Sequence, residues 1–284
     1  MTVGPDAVLT PSALEKERAL IAWLRAQGSA LLGFSGGVDS AYLASVAIEA
    51  LGAERVLAVI GRSASYPEEQ WRVAHDVAGK LGLRVEEIET YELHDPRYAA
   101  NPSNRCYFCK SELWGKLAPL ARARGLAVVI DGTNADDVTG HRPGMQAARE
   151  NGVRSPLLEI GMSKLEVRER SRARGVATWS RPSAPCLSSR LQYGLQVTPE
   201  RLQQVERAER ALRELGITGD LRVRHHGDLA RVELSSEIVG AWLSPVPMRI
   251  LRAAVQGAGF TRVAVDLRGF RSGSLNILRE VSAA

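Results

Sequence analysis

Residues 33–45 read "GFSGGVDSAYLAS", and the way this stretch folds decides the architecture. It follows "ALL" (30–32), which with Gly33 and Phe34 makes a short buried strand, and it runs into "AYLASVAIEALG" (41–52), which keeps helical apolar spacing as far as Gly52. A strand turning through Gly-Gly into a helix opens a βαβ unit, and ligands of open α/β sheets sit at such turns, where strand C-termini and helix N-termini converge. Gly36 and Gly37 allow close backbone approach, exposed N–H groups and the helix dipole suit a pyrophosphate, and Ser35 and Ser40 add hydroxyl donors beside Phe34. Asp39 is the odd member, because a carboxylate repels phosphate unless a cation such as Mg²⁺ bridges them. The loop lacks the lysine of GxxxxGK[ST], so it is not a Walker A motif.

Outward from this loop, strands of about six residues alternate with helices. "SALEKERALIAWLRAQG" (12–28) is a helix with a capping box from Ser12 and Glu15. Strands are expected at 55–61, 83–89 and 126–132, and helices at 67–82 and 110–125, the second with a kink or break at Pro119. A second capping box, Ser163 with Glu166, starts a helix over 163–175. The alternation predicts an α/β doubly wound parallel sheet. "WSRPSAPCLSSRLQYGLQVTP" (179–199) has the Pro, Ser and Gly content of a junction. Beyond it come a helix capped by Thr198 with Pro199 at its first position, two strands around a His-Gly-Asp turn in "LRVRHHGDLARVEL", a helix in "PMRILRAAVQGAG" and a closing strand in "RVAVDLRG". The expected organisation is a nucleotide domain over 12–190 and a smaller α+β domain over 195–284.

Bulk composition narrows the class. At 284 residues, 45% hydrophobic and 24% charged, the chain is that of a globular protein. No signal-like segment or membrane-length apolar run is present, so a cytoplasmic protein without a membrane partner is expected. The net charge of +5 is spread along the chain: residues 195–284 hold 13 Arg against 10 acids, and only five of 37 basic residues are Lys. A diffuse excess of this kind fits anionic small ligands better than nucleic acid, which calls for a basic stripe or an RNA-binding module.

Cysteine is scarce, yet two of the three fall in "RCYFCK" (105–110) as Cys106 and Cys109, and the third is Cys186 in "APCLSSR". The number is odd, which rules out complete internal disulfide pairing. From the residues alone the trio reads as an incidental pair with a spectator or as a zinc site completed by His94 or His141. "IDGTNADD" (130–137) ends the fourth strand on the loop's side of the sheet. There Gly132 and Thr133 could line a nucleotide, and Asp136 or Asp137 could hold a second metal, unless Asn134 or Asp136 only caps a helix.

"SGGVDS" after an apolar strand resembles the PP-loop of the ATP pyrophosphatases, which cut ATP between its α and β phosphates. The longer set "DGTNADDVTGHRPGMQA", "SPLLEIGMSK", "RPSAPCLSSRLQYG" and "LRVRHHGDLARVEL" resembles the LarE-type sulfur transferases, from about residue 15 onward. The resemblance implies ATP and Mg²⁺ as cofactors, for which Asp39 with Asp136 or Asp137 could be the Mg²⁺ ligands. It implies adenine near "IGRS" at Gly61 and Arg62, and a pyridinium dicarboxylic acid mononucleotide as substrate. Cys186 becomes the sulfur nucleophile; Ser189, Arg190, Arg222 and Arg224 could hold the substrate phosphate, unless Arg222 and Arg224, two apart on one strand, only form a solvated face. Arg181 and these arginines could also lower the Cys186 pKa. In the three-cysteine branch of the family, Cys106, Cys109 and Cys186 hold a 4Fe–4S cluster with one open iron; in the one-cysteine branch the cysteine gives up its own sulfur. The resemblance further implies companion enzymes of nickel-pincer cofactor synthesis and a homo-oligomer such as a hexamer. Two other classes remain open at this stage: a 4Fe–4S tRNA-thiolating enzyme of the same superfamily and a non-catalytic adenine-nucleotide sensor. Glu206 and Glu209, sharing a helix face, read as surface salt-bridge partners or as second-metal or general-base groups.

Overall fold

The computed structural model describes residues 12–138, 142–271 and 274–275. His141 lies outside them. The order is α1 (Ala13–Gln27), β1 (Ala30–Gly33), α2 (Val38–Leu51), β2 (Val56–Arg62), α3 (Glu68–Leu81), β3 (Arg84–Glu89), α4 (Pro96–Ala99), α5 (Arg105–Ala123), β4 (Val128–Ile130), α6 (Pro143–Glu150), α7 (Pro156–Glu159) and α8 (Lys164–Ala173). Then follow α9 (Pro199–Glu214), β5 (Leu221–His226), β6 (Leu229–Leu234), α10 (Ser236–Trp242), α11 (Pro245–Gly257) and β7 (Arg262–Val265).

The first four strands form one parallel sheet in the order β3-β2-β1-β4. From β1 the chain winds outward through β2 to β3, then returns to place β4 on the other side of β1. The loops after β1 and β4 therefore part at a topological switch point, the position where this architecture holds its ligand. Side chains along β1 and β2 alternate between two buried faces. Leu31, Leu57 and Val59 pack with Trp114 and Leu117 of α5, while Ala30, Leu32, Ala58 and Ile60 pack with Leu20, Leu24 and Leu43 of α1 and α2.

Both capping boxes form as expected: Ser12 with Glu15 opens α1, and Ser163 with Glu166 opens α8. Helix α5 departs from expectation. It begins at Arg105, not Lys110, and runs through Pro119 to Ala123, so "RCYFCK" is its first turn rather than a preceding loop. Cys106 and Cys109, three apart, share one helix face.

The C-terminal part is a three-stranded mixed sheet, β5-β6-β7, with β5 and β6 antiparallel and β6 and β7 parallel. Leu202, Val205, Ala208 and Leu212 on one face of α9 pack with Val223, Ala230, Val232, Leu251 and Val255. That core also takes in Tyr98, Leu187 and Leu191, with Phe108 and Cys109 against its margin. The start of α5 is thus wedged between the parallel sheet and the C-terminal sheet. Among the described residues no single helix is long and apolar enough to cross a membrane.

Candidate functional site

A cavity of about 560 Å³ opens at the C-terminal edge of the parallel sheet. One end is the loop after β1. Gly36 has φ +67°, and a Cβ there would stand 2.5 Å from the Ala74 Cα, so the turn admits glycine only. The Ser35 and Ser40 hydroxyls lie 3.2 Å apart, the Ser35 N–H donates to Ser40 Oγ at 3.3 Å, and Gln70 Nε2 donates to the Ser35 carbonyl at 2.6 Å. Gly37 occupies the N-cap of α2 and no side chain caps that helix, which leaves its N-terminal dipole directed at the cavity. The loop after β4 comes equally close: a Cβ on Gly132 would stand 2.9 Å from the Ser40 nitrogen. Asp131 shapes this second loop by accepting from the Thr133 N–H (3.1 Å), the Thr133 hydroxyl (2.9 Å) and the Ser155 hydroxyl (2.7 Å).

The countercharge of Asp39 comes from a residue that the sequence reading missed. Lys164 Nζ at the first turn of α8 pairs with Asp39 Oδ2, and Asn134 Nδ2 donates to Asp39 Oδ1 at 3.2 Å. The capping box that starts α8 sets Lys164 in place, and the Asp136 carboxylate accepts the Lys164 backbone N–H at 2.9 Å. Asp136 therefore serves the α8 N-terminus and does not line the cavity, whereas Asp137 does line it. A lysine at N1 after a box was the available signal, but its partner stands 125 residues away.

The other end of the cavity carries all three cysteines, together with Glu92, Tyr98, Arg105, Lys110 and Trp114. Desolvation by the surrounding cavity wall, with the neighbouring Cys186 adding to it, pushes the Cys106 thiol up although the residue is exposed, and burial with Glu92 pushes the Cys109 thiol well up. Burial raises the Tyr98 phenol too, and its hydroxyl meets Ser188 Oγ at 2.7 Å. Glu92 is 1% exposed; its Oε1 accepts from Ser65 Oγ at 2.7 Å. The Ser65 carbonyl accepts the Leu187 N–H at 2.8 Å, which ties the segment after Cys186 to the end of β2. Among the described residues no three of the His, Cys, Asp and Glu side chains are grouped tightly enough for a single metal ion.

The expected nucleotide contacts divide. Phe34, Ser35, Asp39, Ser40, Gly61, Gly132 and Thr133 line the cavity. Arg62 does not: it turns outward, over the Trp71 ring at 4.7 Å and toward Glu68 and Glu87. The arginines expected at the substrate phosphate divide as well. Arg181, Arg190 and Arg222 line a second cavity of about 270 Å³, which adjoins the first at Ala184, a residue common to both walls. Arg190 pairs with Glu209 at 3.0 Å and donates to the Cys186 carbonyl at 3.0 Å, so it grips the backbone of Cys186 rather than its thiol. Glu209 is thus a buried-side partner and not a surface one; Glu206 accepts the Glu68 N–H at 2.7 Å. Arg222 donates only to the Leu221 and Ser183 carbonyls, both at 2.6 Å. Burial, with Arg190 beside it, pushes its pKa down to about 10. Arg224 is turned away, bound to the fully buried Glu233 at 2.8 Å and to the Ser189 carbonyl at 3.1 Å. His94 is not among the cavity-lining residues.

Comparison with known proteins follows this geometry. The NAD synthase family model matches residues 19–103, the part that contains the loop after β1. An uncharacterized protein of Synechocystis is 47% identical over 87% of this chain and 91% of its own length. The pyridinium-3,5-bisthiocarboxylic acid mononucleotide synthase of Lactiplantibacillus plantarum is 34% identical over 92% of this chain and 94% of its own. The NH(3)-dependent NAD(+) synthetase of Chlorobaculum tepidum is 37% identical over 26% of this chain and 27% of its own.

Proposed function

This chain belongs to the LarE family, whose members carry a PP-loop domain like that of NAD synthases, and on that premise we propose that it is an ATP-dependent sulfur transferase acting on a pyridinium carboxylate mononucleotide. The observation that carries the reading is the shared cavity: the PP-loop and all three cysteines line one space. ATP-binding groups and nucleophilic sulfur have no need to meet in a nucleotide sensor.

The chemistry follows from the groups present. A carboxylate is a poor acyl donor, because oxide would have to leave. Attack of the substrate carboxylate on the α-phosphorus of ATP forms an acyl-adenylate and releases pyrophosphate, so that AMP becomes the leaving group. The α2 N-terminus and the Ser35 and Ser40 hydroxyls would bind the departing pyrophosphate, with Lys164 holding the Asp39 carboxylate beside them. Asp39 and Asp137 both line the cavity, a donor set suited to Mg²⁺, which would offset charge on the phosphates. Sulfur then replaces AMP at the acyl carbon. Two sulfur donors are open: the Cys186 thiolate itself, whose thioester would then lose the Cα proton and break its Cβ–S bond, leaving a thiocarboxylate on the substrate and dehydroalanine in the chain, or a sulfide on a cluster that Cys186 would help to hold; in either case Arg190 and Ser65 hold the segment.

Three cysteine thiols around one cavity match in kind and number the protein ligands of a 4Fe–4S cluster with one open iron, held by Cys106, Cys109 and Cys186. Such a cluster would supply an open iron for an extra sulfide. The second cavity, with Arg222 buried and lacking a carboxylate partner among the described residues, suits the mononucleotide phosphate. Its junction with the thiol cavity at Ala184 would let one substrate span both. We further propose a boundary between the nucleotide and C-terminal domains at 190–195, a homo-oligomeric assembly, and a place beside the other enzymes of nickel-pincer cofactor synthesis.

The test is the metal content of anaerobically purified protein. About four irons with matching acid-labile sulfide per chain, lost in Cys106→Ala, are expected. Protein without iron after reconstitution, but with zinc, would overturn the cluster. Pyrophosphate release that depends on tRNA and not on the mononucleotide would favour the thiolation of RNA.

A further inference from the structure

The thiol end of the cavity contains a buried cation that the proposed chemistry has not used. Arg105, the first residue of α5, is 6% exposed and lines the cavity beside Cys106. Its Nη1 donates to Asn101 Oδ1 at 3.0 Å, and its guanidinium lies 5.1 Å from the Tyr193 ring centroid. Among the described residues its Nε has no hydrogen-bond partner and no carboxylate pairs with it, while the thiols of Cys186 and Cys106 are the ionisable groups that bear on it most. The neighbouring cations are differently placed: Arg142 pairs with Asp137 at 3.3 Å and is half exposed, and Lys110 lies over the Trp114 ring at 5.0 Å.

A buried guanidinium without an anion is costly, and removing its partner from a buried pair typically destabilises a protein by several kilocalories per mole. The position is nevertheless firmly built. Asn101, itself fully buried, donates from Nδ2 to the Gln192 and Leu195 carbonyls at 2.8 and 3.0 Å and so fixes the atom to which Arg105 is tied. The guanidinium is pre-organised for a planar anion that enters the cavity, and its fork matches a carboxylate.

We propose that Arg105 binds the carboxylate that is not reacting, on a substrate ring bearing two carboxylates, and so selects a dicarboxylate over a monocarboxylate. This rests on the function proposed above, and on the relative whose name specifies a 3,5-bisthiocarboxylic product. Groups in a 1,3 relation on one ring point in divergent directions. When one is presented to the ATP α-phosphate at the PP-loop end, the other is directed elsewhere in the same cavity, and Arg105 is a buried cation there without a carboxylate partner among the described residues. After the first carboxyl has been converted, the same residue would receive the thiocarboxylate, also a planar monoanion, as the ring turns over for the second.

The test compares two probes on the full-length protein by titration calorimetry: pyridinium-3,5-dicarboxylic acid mononucleotide and nicotinic acid mononucleotide, which has one carboxylate. Wild type should bind the dicarboxylate more tightly. In Arg105→Gln the ratio of the two affinities should fall by about tenfold to a hundredfold, the range of a lost hydrogen bond to a charged group. Arg105→Lys, which keeps the charge but not the fork, should restore part of that ratio. The monocarboxylate serves as the internal control for folding. A ratio unchanged in Arg105→Gln, or a parallel loss of both affinities, would overturn the assignment while leaving the sulfur-transferase reading standing, provided wild type still releases pyrophosphate with the dicarboxylate. Wild type that binds neither probe would remove both.

Discussion

The two ends of the main cavity are built on opposite terms. At the phosphate end the polar groups are matched: Asp39 has Lys164 and Asn134, Asp131 accepts three hydrogen bonds, and Ser35 and Ser40 bond each other. At the thiol end they are not. Glu92 Oε2, Arg105 Nε and Trp114 Nε1 are buried and lack partners among the described residues. Unsatisfied buried polar groups are expensive unless water, an ion or a ligand completes them. The difference teaches that the nucleotide end is ready-made, as suits a loop shared across a superfamily, while the sulfur end is organised to be completed by what it receives.

That contrast breaks most readily at the phosphate end. Asp39→Ala and Lys164→Ala should each lower substrate-dependent pyrophosphate release by about a hundredfold to a thousandfold, the loss seen when one preorganised charge is taken from a transition state. A coupled pyrophosphate assay reads this, and rates within a factor of three of wild type would remove the matched pair from the chemistry. Gly36→Ala should cost about 2–4 kcal/mol in urea unfolding, because the new Cβ meets the Ala74 backbone at a positive φ; an unchanged midpoint would show the loop to be pliable.

A smaller effect concerns the C-terminal sheet and sharpens the comparison as a control. Burial, with Arg201 adding to it, pushes the His225 pKa down to about 4, so the folded protein holds it neutral while the unfolded chain takes up a proton near pH 6.5. Its contribution is complete above pH 6.5 and is lost as pH falls toward 4, about 2 kcal/mol of it by pH 5 and about 3 kcal/mol in all. Urea midpoints at pH 7.5, 6 and 5 should show this slope, and His225→Leu should flatten it. An equal slope in the variant would assign the acid sensitivity to other groups.

The sequence made the nucleotide end legible because its signals are local. A strand, a Gly-Gly turn and a helix lie within about twenty residues, and the capping boxes marked α1 and α8 within a residue of their observed starts. The thiol end was readable in composition but not in placement. Asn104 caps α5 without a side-chain hydrogen bond, so nothing local announced that the helix begins at Arg105 and carries both cysteines on its first turn. The short helices α6 and α7 open on Pro143 and Pro156, which read equally well as breakers. Lys164 with Asp39, Arg190 with Glu209, and Arg224 with Glu233 are tertiary pairings, which spacing along the chain does not reveal. The i, i+2 spacing put Arg222 and Arg224 on one strand face, yet only Arg222 reaches the second cavity, because Glu233 on the neighbouring strand captures Arg224.

The most direct test of the account is to separate the two ends in one protein. Cys186→Ala, given ATP and pyridinium-3,5-dicarboxylic acid mononucleotide, should still release pyrophosphate but form no thiocarboxylate detectable by mass spectrometry. Thiocarboxylate formation at the wild-type level would contradict the account by taking the sulfur chemistry away from Cys186.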